Sequence, residues 1–230
     1  MSGGGTRRAS GRLGAILSRM SQLIEAWRRL SMHPAIRPIN DRRIVLQWRL
    51  TGRAIPPPPT VKHAIVKEYA ERFGTRVLVE TGTFAGGMID AVKDRFARVF
   101  SIELDPGWHS RAVRRFRGCA HETLLQGDSG VRLREVLDEL AEPALFWLDA
   151  HYSGPVTARG ELDSPIVHEL ESIAAHAVPG HVVLIDDMRD FQGRDGYPTV
   201  DALVAWIRRA DPAGVVEVRD VILRWHPARV

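Results

Sequence analysis

The stretch Val77-Leu-Val-Glu-Thr-Gly-Thr-Phe-Ala-Gly-Gly87 constrains this chain more than any other. Val77, Leu78 and Val79 read as a short buried strand, and a helix-like run from Met88 to Phe96 follows directly. Between them lies Gly82-x-x-x-Gly86-Gly87. Glycine lets a backbone bend sharply and approach a ligand with no Cβ in the way. The N-terminus of the next helix adds unpaired N–H groups at the same place. Strand, glycine turn and helix together are how α/β proteins hold nucleotides at the carboxyl end of a sheet. Glu80 ends the strand and sets a carboxylate beside the turn. Any tight connection from strand to helix can want glycine, so the weight of this reading rests on the residues downstream.

Downstream, strands and helices alternate. The patterning predicts a helix to about Phe73 that Thr60 can cap and Gly74 ends. It then predicts strand 77–80, helix 86–96, strand 98–103, helix 107–117, strand 121–125, helix 129–141 and strand 144–149. A loop over 150–162 precedes helix 164–177, strand 181–186, a loop over 188–198 and helix 199–210. The strands 214–219 and 221–226 read as a terminal antiparallel pair. Such alternation implies an α/β fold: a seven-stranded, mostly parallel, Rossmann-like sheet with helices on both faces and an antiparallel C-terminal strand.

The first 53 residues differ in character. They hold eleven arginines against Glu25 and Asp41, a net of +9, whereas the whole chain is +4, which leaves −5 for residues 54–230. Leu13, Ile16, Leu17, Met20, Leu23, Ile24, Trp27 and Leu30 recur at helical spacing among Arg12, Arg19, Arg28 and Arg29. This basic amphipathic helix suits packing on the core or on a second copy in a homo-oligomer. It also suits contact with an anionic membrane surface or with RNA. Pro56 to Pro59 form a stiff spacer, which divides an arm, residues 1–55, from a core domain, residues 56–230. The single cysteine, Cys119, excludes an internal disulfide and fits a reducing compartment. No apolar run reaches the length of a membrane span. These points make the cytoplasm the expected location.

In such sheets a ligand lies across the carboxyl ends of the strands. The first strand delivers Glu80, Gly82, Thr83 and Gly86 there. The second ends in Glu103, 23 residues after Glu80, where an acid can accept both hydroxyls of a ribose; Asp105-Pro106 is the better helix cap of the two acids. The third leads into Asp128-Ser129, and Asp128 can accept from an adenine amino group or merely cap the helix that starts there. The fourth ends in Asp149-Ala-His151-Tyr152, and the fifth in Asp186-Asp187. Adjacent buried carboxylates repel unless a cation or donors neutralise them. Three from neighbouring strand ends make an oxygen site suited to Mg2+, or else a set of helix caps and solvated loop acids.

Glu80-Thr-Gly-Thr-Phe-Ala-Gly-Gly87 followed by an acid-ended second strand resembles the S-adenosylmethionine-dependent methyltransferases of Rossmann-like fold. Leu148-Asp149-Ala-His-Tyr152 and Ile185-Asp186-Asp187 look most like their macrocin O-methyltransferase group, which uses Mg2+ to methylate sugar hydroxyls. The resemblance spans roughly residues 60–200. It implies S-adenosylmethionine as cofactor, with Glu80, Gly82, Thr83 and Gly86 at its methionine end. Glu103 would meet the ribose, and Asp128 and Ser129 the adenine. Asp149, Asp186 and Asp187 would bind the metal. His151 stands where related enzymes often carry an Asp, and an imidazole can serve as general base there. The acceptor would be a hydroxyl of a sugar, glycan or glycosylated natural product.

Other readings compete with this one. A nicotinamide-dependent dehydrogenase wants G-x-G-x-x-G, which Gly82-x-x-x-Gly86-Gly87 does not supply. A nucleic-acid methyltransferase would exploit the arginine arm, but methylation of base amino groups usually comes with an Asn-Pro-Pro-Tyr-like turn after the fourth strand, where this chain has Asp149-Ala-His-Tyr152; nucleic acid is therefore not expected as a partner. A non-catalytic cofactor-binding scaffold is the remaining alternative.

Overall fold

In the computed structural model, residues 36–149, 165–194 and 196–228 are described. The chain divides into two compact units between Gly52 and Arg53. The expected amphipathic helix at Leu13–Leu30, and the start of the helix expected from 164, lie outside the described residues.

In the first unit the described structure is one helix, α1 (Arg37–Leu50). The sequence reading did not anticipate it, because its residues show little apolar periodicity. Its start is marked by Pro38, whose missing N–H costs nothing in a first turn. The Arg43 guanidinium donates to Asn40 Oδ1 at 3.1 Å one turn back, and Thr51 N–H closes the helix on Gln47 O at 2.9 Å.

The second unit is a seven-stranded sheet in the order β3-β2-β1-β4-β5-β7-β6. Its elements are α2 (Pro59–Phe73), β1 (Val77–Thr81), α3 (Gly87–Val92), β2 (Arg98–Glu103), α4 (Pro106–Arg115), β3 (Glu122–Gln126) and α5 (Ser129–Asp138). They continue with β4 (Ala144–Leu148), α6 (Ile166–Ala174), β5 (Val182–Ile185), α7 (Val200–Ala210), β6 (Gly214–Arg219) and β7 (Ile222–Pro227). Strands β1 to β5 run parallel, and β7 is antiparallel to both its neighbours. The last strand in sequence thus lies inside the sheet, between β5 and β6, instead of at its edge.

Several helix boundaries differ from the expectation, the helix expected over 129–141 ending at Asp138 and the one expected to 177 ending at Ala174, and two of the differences have a local reason. Thr60 does not cap α2: the cap lies two residues earlier, at Pro58, with Pro58 and Pro59 supplying preset φ angles and no orphan donors. The helix expected over 86–96 is α3 with a short 3-10 turn, Lys93–Arg95, as its tail. Gly74 ends α2 as expected, in the left-handed region at φ 66°, and its N–H returns to Ala70 and Glu71 carbonyls.

Strands β1, β4 and β5 are buried along their whole length, as a parallel sheet covered on both faces requires. Val79, Phe146 and Val183 join Leu133 and Val136 of α5 and Leu170 of α6 in one apolar core. The strand order reverses between β1 and β4, where Thr81 pairs with Leu148. At such a reversal the neighbouring connections leave on opposite faces and a crevice opens at the carboxyl ends. No helix among the described residues is long and apolar enough to cross a membrane.

Because the sheet and its helices fall wholly after Gly52, a chain beginning at Arg53 is expected to fold. Urea unfolding followed by circular dichroism should show one cooperative transition. A sloping, non-cooperative loss of signal would mean that the arm completes the core.

Candidate active site

The connection from β1 to α3 is wound around left-handed residues. Gly82 has φ 87°, and its N–H extends the strand pairing to Ile102 O at 2.9 Å. Gly86 has φ 72° and its N–H returns to Thr83 O at 2.8 Å. A Cβ on Gly86 would stand 2.7 Å from the Phe116 ring, so its glycine serves the packing of α3 against the end of α4 as well as the turn. Phe84, between them, holds φ 46° without being glycine, a conformation that costs free energy and gathers at functional sites.

That bend aims the Phe84 amide at Glu103, whose Oε2 accepts it at 2.7 Å; Oε1 accepts Asp105 N–H at 2.8 Å. Glu103 is buried and fixed by two backbone donors, and each carboxylate oxygen keeps a second lone pair for a ligand hydroxyl. Asp105 caps α4 by accepting Trp108 N–H at 2.8 Å, as its place before Pro106 suggests. The Trp108 ring packs on Phe84 with centroids 4.2 Å apart, and the Arg111 guanidinium lies over the Trp108 ring at 4.5 Å from its centre.

Glu80 lies deeper. Ser101 Oγ, one strand over in register, donates to Glu80 Oε2 at 2.5 Å and also meets Thr83 Oγ1 at 2.6 Å. Burial, opposed by the Ser101 hydrogen bond and aided by the charges of Asp149 and Glu103, raises the Glu80 pKa to about 8. Asp128 caps α5, accepting Gly130 N–H at 2.8 Å, so the capping half of its expected role is seen directly. The neighbouring Ser129 is buried and meets Glu169 of α6, a carboxyl 1% exposed whose pKa burial raises to about 7.

The acids at the ends of β4 and β5 do not stand alone. Lys62, in the first turn of α2, donates to Asp186 Oδ2 and lies 4.0 Å from Asp187 Oδ1. The other Asp186 oxygen accepts the Asp187 N–H at 2.9 Å. Arg189 Nη2 donates to Asp187 Oδ1 at 3.0 Å, and Asp187 itself sits at φ 49°. Burial first, then the charge of Asp149, raises the Asp186 pKa to about 6. Asp149 follows β4 and its N–H bonds Thr81 O at 3.0 Å, which holds it beside the glycine turn. Among the described residues no three carboxylate, imidazole or thiolate groups are placed to hold a metal ion. The donor set at Asp186 and Asp187 is already engaged by an ammonium and a guanidinium, so it does not fit the divalent ion that the resemblance implies. His151 lies outside the described residues.

The structure therefore brings Glu80, Gly82, Thr83, Gly86, Glu103 and Asp149 to one edge of the sheet, with Asp128, Ser129, Asp186 and Asp187 along the same edge. Lys62, Ser101, Glu169 and the Phe84–Trp108 pair were not read from the sequence. Of these only Phe84 carried a local signal, through its place inside the glycine turn.

No protein-family model matches the chain, and no curated protein matches it. Solved structures do. An O-methyltransferase from Bacillus cereus in complex with SAH is 14% identical with TM-score 0.54, covering 82% of this chain and 89% of that one. The SAH-bound Podospora anserina methyltransferase PaMTH1 is 15% identical with TM-score 0.55, covering 92% and 96%. A candidate rRNA methylase from Clostridium thermocellum is 13% identical with TM-score 0.53, covering 72% and 96%. At these identities the likeness is one of fold: this chain has the Rossmann-like architecture of those methyltransferases.

Proposed function

We propose that the protein is an S-adenosylmethionine-dependent O-methyltransferase whose acceptor is a hydroxyl of a sugar, glycan or glycosylated natural product. The observation that carries this reading is Glu103, fixed by the Phe84 and Asp105 amides at the end of β2 beside a glycine turn. That geometry suits the paired hydroxyls of a ribose, the part of the cofactor that a nicotinamide enzyme would share, while the turn lacks the G-x-G-x-x-G spacing of one. The neighbours solved with SAH, the demethylated cofactor, support the same ligand.

Bound S-adenosylmethionine supplies an electrophilic methyl on a sulfonium. This chain's residues supply the rest. Glu103 accepts from the ribose, Asp128 and Ser129 border the adenine, and Gly82 and Thr83 leave room at the methionine end. His151 takes the hydroxyl proton as the acceptor attacks, and alignment of the reacting atoms accounts for much of the remaining advantage. No step is assigned to Mg2+, since Asp186 and Asp187 are held by Lys62 and Arg189. The residues 1–55 act as an interaction arm, pairing with a second copy or lying on a membrane surface, and the protein works in the cytoplasm. A nucleic-acid acceptor is the second reading, favoured only by the arm's net charge of +9.

Calorimetry tests the reading at its base. S-adenosylmethionine and SAH should bind in the micromolar range, and Glu103→Ala should weaken both about 10- to 100-fold, the worth of hydrogen bonds to a charged group. Binding of NAD with none of the sulfonium would sink the assignment. His151→Ala should keep cofactor affinity and lose roughly 10²- to 10⁴-fold in rate.

Glu80 adds a pH signature. Its pKa is raised on folding, from 4.5 to about 8, so its contribution to stability is complete below pH 4.5 and is lost as pH rises through about 8. Glu80→Gln should therefore flatten the decline in melting temperature between pH 5 and 9, and an unchanged profile would place the proton elsewhere.

A further inference from the structure

Lys62 is a lysine in the first turn of a surface helix, yet its side chain is only 18% exposed and its ammonium sits on a carboxylate that is wholly buried. It reaches this place because α2 packs across β4 and β5, the two strands that end in Asp149 and Asp186. There it faces Asp186 directly, Asp187 at 4.0 Å, and Asp149 closely enough to be attracted by its charge. One of its three N–H donors is committed to Asp186 Oδ2. Arg189 adds a second cation on the outer side of Asp187. Three carboxylates at neighbouring strand ends are thus met by two fixed cations of the chain itself.

We propose that Lys62 is the resident cation of this site. Its ammonium occupies the position at which a divalent ion would neutralise Asp149, Asp186 and Asp187, and it acts as a positioning residue that orients the acceptor hydroxyl in the ion's stead. The proposal rests on the methyl-transfer reading for the identity of the acceptor, but its electrostatic core does not. A compact ammonium suits the task because it is a point charge with donors left over after Asp186 is satisfied. A divalent ion competing for the same carboxylates would first have to displace an ammonium that already compensates Asp186 and is hydrogen-bonded to it.

The test uses the full chain and Mn2+ and Mg2+ as probes. Calorimetric titration of the wild-type protein should show no binding of either ion below millimolar concentration, and its melting temperature should be unmoved by EDTA. Lys62→Ala should bind Mn2+ at least tenfold more tightly than wild type, and adding Asp186→Asn to it should abolish the gain. Lys62→Arg should retain the exclusion of Mn2+, which a merely structural lysine would not require. Micromolar Mn2+ binding by the wild type, lost on Asp186→Asn, would overturn the proposal, as would a folded Lys62→Ala with no gain. If Lys62→Ala does not fold, Lys62→Gln takes its place, and the wild-type titration still decides. S-adenosylmethionine binding measured on the same samples separates the two ideas. Its absence defeats the enzymatic reading while leaving the ion titrations to judge Lys62.

Discussion

A parallel sheet forces every strand to end on the same edge, and in this protein most of those strands end in an acid. Glu80, Glu103, Asp149 and Asp186 leave β1, β2, β4 and β5 within a few residues of one another in register. Like charges at that density cannot all remain ionised and bare. The fold resolves the conflict differently at each acid. Glu80 is held neutral by burial, with the charges of Asp149 and Glu103 adding to the effect and the Ser101 hydrogen bond opposing it. Glu103 takes two backbone amides. Asp186 takes an ammonium. The result is a graded edge: a protonated carboxyl at the centre, an acceptor preorganised by two backbone amides on one side, and an ion pair on the other.

The same edge collects backbone conformations that chains ordinarily avoid. Phe84, Asp187, Asp220 and Val221 all have positive φ without being glycine, and Val221 is β-branched, the case with the least excuse. Asp220 and Val221 form the β6–β7 turn, and Val221 O accepts the Met188 N–H at 2.9 Å, so this turn braces the segment that follows Asp187. Tight turns alone could account for one such residue. Four of them beside the carboxylates fit a site whose shape is imposed by the sheet around it.

How much of this could be read from the residues follows from the range of the interactions. The strands and their order of types were legible because apolar runs, glycines and caps are local signals; Gly74, Asp105 and Asp128 each do what their neighbours in sequence suggest. The acids at the strand ends were legible for the same reason. Lys62 was not, since it meets Asp186 across 124 positions and a lysine on a helix usually faces water. Glu169 was hidden too, since a glutamate on a helix usually faces water, whereas this one is sealed against Ser129 where α6 meets α5. The order in which β7 enters the sheet was equally hidden, because an antiparallel pair reads the same whichever member joins β5.

That placement of β7 bears on how the protein is made. Until residues 222–227 have been synthesised, β5 lacks the neighbour it pairs with through Val183, Leu184 and Ile185. At ordinary elongation rates the ribosome needs roughly 2–8 s to add the intervening segment. Throughout that interval the nascent chain displays an apolar strand edge, the surface most prone to pair with another molecule. Chaperone dependence during translation, with aggregation when the final strand is delayed or lost, is therefore inherent in the order of the strands.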